Sequence, residues 1–125
     1  MEFFLFADVT ADEQKLQDAL TIADVEPYCE SIVLLKPEPD SAKILSSWGE
    51  FNLSRQEVNG GLRFALTDCP NALAWTITAG HPPDPEKVVI HLTINRKEKS
   101  EAFIQSIIDF GNEWRVGLET VFAKE

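Results

Sequence analysis

The stretch Phe51-Asn52-Leu53-Ser54-Arg55-Gln56-Glu57-Val58-Asn59-Gly60-Gly61-Leu62-Arg63-Phe64-Ala65-Leu66 decides the fold. Phe51, Leu53 and Val58 approach Asn59-Gly60, while Leu62, Phe64 and Leu66 leave it with Arg63 and Thr67 on the other face. Period-two alternation on both sides of Asn-Gly predicts an antiparallel hairpin with a type I′ turn, in which both central residues take positive φ.

Downstream, Asp68-Cys69-Pro70-Asn71 supplies a turn, and Leu73, Trp75, Ile77 and Ala79 then alternate with Ala74, Thr76 and Thr78. Beyond the stiff loop Gly80-His81-Pro82-Pro83-Asp84-Pro85, Lys87 to Ile94 reads as a strand with Val88, Ile90, Leu92 and Ile94 on one face. These runs make a four-stranded meander. A long amphipathic helix follows to about Phe122, capped by Asn95 with Glu98 or by Ser100, with Ile104, Ile107, Ile108, Gly111, Trp114, Leu118 and Phe122 at helical spacing.

Upstream, Glu2 to Val9 is a strand with Phe3, Leu5, Ala7 and Val9 on one face and Phe4 and Phe6 on the other. Such a strand belongs inside a sheet, covered on both faces, or at an interface. Thr10-Ala11-Asp12-Glu13 matches a capping box and opens a helix whose stripe is Leu16, Ala19, Leu20 and Ala23, stopped by Pro27. Ser31 to Lys36 is a second strand bounded by Pro37 and Pro39. Asp40-Ser41 then offers a cap for a short helical piece through Trp48, ended by Gly49. The expectation is an α+β fold of about six strands in the order β-α-β-(α)-β-β-β-β-α. Residues 1–125 form one domain with the helices on one face of a mainly antiparallel sheet.

The 125 residues, 44% of them hydrophobic, suffice for one core without disulfides or metals. The net charge is −10, and residues 1–40 hold ten acids against Lys15 and Lys36, a local balance of −8. The other 85 residues carry only −2. This charge excludes a phosphate-binding face for nucleic acid and disfavours anionic membranes, while steering the chain toward a basic partner. With no apolar run near the ~20 residues of a membrane helix, and no basic leader before Phe3, a cytoplasmic location is expected.

Candidate chemistry is sparse. Cys69, Asp68 and either His81 or His91 are the pieces of a nucleophilic site without its signature, and an inert thiol is the alternative. Cys29 and Cys69 lack metal-ligand spacing, and with two histidines no zinc, calcium or phosphate loop is written, so no metal and no cofactor is expected. His91 reads as an outward residue on a half-exposed strand. Arg115 falls inside the apolar stripe between Ile104 and Ile108 and reads as a snorkelling or paired guanidinium, with a ligand carboxylate as the other option.

The leading expectation is therefore a non-enzymatic domain that binds, and neutralises, a basic protein through an acidic face. Its candidate contacts are Asp12, Asp18, Asp24, Glu26, Glu30, Glu38 and Asp40, with Tyr28 as an aromatic anchor. In composition the chain resembles bacterial immunity or antitoxin proteins that block basic toxins, and acidic secretion chaperones. A sheet wrapped on a long C-terminal helix also resembles, in element order, the helix-grip proteins. That resemblance implies a second reading, a small apolar ligand held between sheet and helix. A third is a homodimer through Phe4 and Phe6.

Overall fold

The alternating runs become a single seven-stranded antiparallel sheet in the computed structural model, which describes residues 1–95 and 99–124. The elements are β1 Glu2–Ala7, α1 Glu13–Ala19, two 3₁₀ turns at Ile22–Asp24 and Glu26–Tyr28, β2 Val33–Pro37, β3 Ser41–Ser46, β4 Gly49–Val58, β5 Gly61–Leu66, β6 Ala74–Ala79, β7 Val88–Thr93 and α2 Glu101–Phe122. Strand order is β1-β7-β6-β5-β4-β3-β2, so β2 to β7 form one continuous meander and β1 adds to its far end. β1 and β2 are thus the two edges, and residues 8–32 carry the chain from one edge to the other.

Two expectations change. The segment expected as a short helix after Asp40 is β3, which raises the strand count to seven. Ala42 and Ile44 point into the core at 4% and 1% exposure while Lys43 and Leu45 point out. Pairing with both β2 and β4 overrides the helical propensity of Ala-Lys-Ile-Leu. The strand β1, apolar on both faces, lies at an edge and not inside the sheet, which leaves Phe4 42% exposed.

The hairpin at Asn59-Gly60 forms as expected, with Val58 opposite Gly61. Only Gly60 takes positive φ, +89°, which is the pattern of a type II turn in place of type I′. The N-cap of α1 is Asp12, whose carboxylate accepts the Lys15 N–H. Glu13, expected to reach back in a capping box, instead accepts the Gly60 N–H at 2.8 Å. Gln17 donates to the Val58 and Gly61 carbonyls, and Arg55 donates to the carbonyls of Gln17 and Leu20, closing the last turn of α1. These bonds fasten α1 to the β4–β5 hairpin.

The core lies on the one sheet face that α1 and α2 cover. Phe64, Trp75, Phe110 and Trp114 stack and tilt against one another with centroids 4.9–5.9 Å apart, each at most 2% exposed. Helix α2 starts at the Ser100 cap. The alternative cap at Asn95 needs Glu98, which lies outside the described residues.

Candidate functional site

The crossover from β1 to β2 brings the turn Glu26–Tyr28 alongside α2, and Gly117 makes the approach close. A Cβ there would stand 2.1 Å from the Tyr28 carbonyl oxygen. The Tyr28 ring turns inward onto Trp114 and Phe122. Between the turn and the outer flank of α2 runs a groove of about 540 Å³ lined by the segment Glu26, Pro27, Tyr28 and Glu30 and by Asp109, Asn112, Glu113, Val116, Gly117 and Thr120.

Four carboxylates line this groove, and among the described residues no Lys or Arg does. Three are held in place through one oxygen each. Glu26 accepts the Leu34 N–H at 2.9 Å, Glu113 accepts the Ser31 N–H at 2.7 Å, and Asp109 accepts from Gln105 at 2.9 Å. Glu30 has no hydrogen bond or ion pair among the described residues. The floor between them is apolar, with Pro27 exposed and Val116 50% exposed. Behind Glu113 sits the Cys29 thiol, 4.0 Å from its carboxylate. Burial raises that thiol to about 12, opposed by its hydrogen bond to Ser31 and reinforced by the Glu113 charge, so it is an inert neutral group.

The acids expected to share one face are divided among several places. Glu26 and Glu30 line the groove. Asp12 and Asp18 lie on α1 beside Lys15, where Asp12 caps the helix and Asp18 accepts from Gln14. Asp24 accepts the Thr21 hydroxyl in its own turn. Glu38 lies at the β2–β3 connection with Lys36 and Lys43, and Asp40 contributes its backbone carbonyl to the Arg55 N–H. Tyr28, expected as an aromatic anchor for the partner, is 5% exposed. Its ring packs in the core against Trp114 and Phe122. Sequence reasoning missed Asp109 and Glu113. Their i,i+4 spacing, continued by Val116 and Thr120, was a readable second face of α2.

The other candidates are not brought together. Asp68 accepts from the backbone and side-chain nitrogens of Asn52, His91 pairs with Glu2 at 2.9 Å and stacks on Phe4, and the His81 ring lies over Gly60. Arg115 bridges Asn112 and Glu119 on its own helix, and Glu119 also accepts the Asp8 N–H. Among the described residues no cluster of three metal-ligating side chains occurs. The space between sheet and α2, the second reading's ligand site, is taken up by the Phe64, Trp75, Phe110 and Trp114 rings. The indole N–H groups of both tryptophans meet no oxygen or nitrogen acceptor there. No helix is long and apolar enough to cross a membrane among the described residues. Comparison with family models, with curated proteins and with solved structures gave no match in any of the three.

Proposed function

We propose that this chain is a non-enzymatic binding domain whose groove between the turn Glu26–Tyr28 and α2 holds a basic segment of a partner protein and masks its charge. The observation that carries this reading is the lining itself: four carboxylates, no cation among the described residues, and an apolar floor at Pro27 and Val116. Carboxylates already fixed by one hydrogen bond lose little side-chain entropy on meeting a guanidinium or ammonium group. Long-range attraction from the −10 net charge accelerates encounter, and the apolar floor slows release.

Capture from the native source at low salt tests this with two variants of equal charge change. Glu30→Lys with Asp109→Lys alters the groove, and Asp18→Lys with Asp40→Lys alters acids elsewhere. A basic protein held by the wild type is expected to stay with the second variant and to associate at least ~10-fold more slowly with the first, the gap narrowing as salt rises. Equal losses from both variants would reduce the binding to diffuse charge and sink the assignment to the groove.

A further inference from the structure

The two edges of the sheet are built to opposite rules. β2 carries a register shift between Leu34 and Lys36, then Lys36 and Pro37, and each of these features discourages another strand from pairing. β1 has none of them. Its six residues pair with β7 without a bulge from Glu2 opposite Thr93 to Ala7 opposite Val88, and it has no second neighbour among the described residues.

Backbone parity shows what that bare side offers. Met1 and Ile94 exchange both N–H···O bonds, so Phe3, Leu5 and Ala7 also bond to β7, and the N–H and C=O groups of Glu2, Phe4 and Phe6 point away from the sheet. Asp8, next in the outward series, has its N–H taken by Glu119, which closes that end of the edge. Nothing among the described residues takes those of Phe4 and Phe6. Side chains reinforce the point: Phe4 is exposed on the outer face, and Phe3, Leu5 and Phe6 are half-buried. At 100° per residue, Ile104, Ile108, Gly111 and Arg115 share one flank of α2, and Gly111 against Leu5 together with Glu119 on Asp8 places that flank beside β1. Ile104 and Ile108 are half-exposed there, so the apolar edge continues onto the helix.

We infer that a second copy of this chain pairs with β1 about a twofold axis at Phe4, joining two sheets into one. The sequence around Phe4 is self-complementary in that register. Phe4 meets Phe4 of the second copy on the outer face, and Phe3 meets Leu5 in both directions on the inner face. The only charge in the paired stretch, Glu2, lies at its end and already bonds to His91. The five paired residues Glu2 to Phe6 of each copy and the flanking isoleucines amount to an interface on the order of 1,000 Å², the low end for specific association, which corresponds to a dimer of micromolar strength.

Sedimentation from about 1 to 300 µM is expected to show a monomer–dimer equilibrium with a midpoint near ~10–50 µM. Phe4→Lys sets two ammonium groups opposite each other and is expected to weaken the dimer at least ~10-fold, whereas Leu35→Lys at the β2 edge leaves it unchanged. In the wild type, amide exchange at Phe4 and Phe6 slows as concentration rises, while Phe3 and Leu5 stay protected throughout. That measurement decides alone if Phe4→Lys does not fold. A chain monomeric to the top of that range, a dimer without concentration-dependent protection at Phe4 and Phe6, or a folded Phe4→Lys that dimerises like the wild type overturns the inference.

Discussion

On one flank of α2, Gly117 lies against the backbone of Tyr28, and on the other Gly111 lies beneath the methyl tips of Leu5 and Leu92. A Cβ at Gly117 would meet a carbonyl oxygen at 2.1 Å, and one at Gly111 would meet Leu5 Cδ1 at 2.4 Å. The distances are similar and the neighbours are not. Backbone in a hydrogen-bonded turn moves only with its segment, whereas a leucine tip at a sheet edge rotates. Closeness therefore measures constraint only once the stiffness of the neighbour is known, and the groove flank is the rigid one.

Gly117→Ala is the sharpest way to break that contrast. Displacing the Tyr28 backbone outweighs the ~1 kcal/mol gained in helix propensity and should cost about 2–3 kcal/mol net, read by urea denaturation, with binding at the groove lost as the turn steps back. Next comes Glu113→Ala, which leaves the partly buried Ser31 N–H without its acceptor and should cost about 1–2 kcal/mol, most of it recovered in Glu113→Gln. Gly111→Ala should fall within about 0.5 kcal/mol of the wild type, because leucine rotation and helix propensity offset one another. A cost at Gly111 equal to that at Gly117 would erase the distinction between the flanks.

The smallest effect at working pH belongs to Cys29. Its thiol rises from 9.0 to about 12 on folding, so the folded state holds the proton more tightly. Stability is unaffected below 9.0 and falls as pH climbs from there toward 12. A fall in melting temperature above pH 9 that is smaller in Cys29→Ser than in the wild type checks the sign. At neutral pH, Cys69, which is half-exposed, should alkylate well ahead of Cys29.

Periodicity made most of the sheet legible. Trp75 and Ile77 in β6, or Val88 and Ile90 in β7, alternate as strands buried on one face must, and α2 keeps its stripe over 22 residues. β3 was hidden because Asp40-Ser41 imitates a helix cap and only pairing on both sides makes Ala42 and Ile44 a strand. The location of β1 was hidden for a related reason. Phe4 and Phe6 announce two apolar faces but not which neighbour covers them. Half of the groove was visible in the acids at Glu26 and Glu30. The other half depended on Gly117 admitting the turn to the flank of α2 that carries Asp109 and Glu113.

The route of the crossover has a kinetic consequence. Glu2 pairs with Thr93, and every other strand pair in the sheet joins neighbours in sequence. The meander can zip up hairpin by hairpin, but β1 must wait for β7, since closing the longest loop carries the largest entropic barrier. During synthesis, the strand that carries the exposed Phe4 is made before its partner β7 and is paired only after it. The interval between those two events is when this chain most needs protection from its own copies.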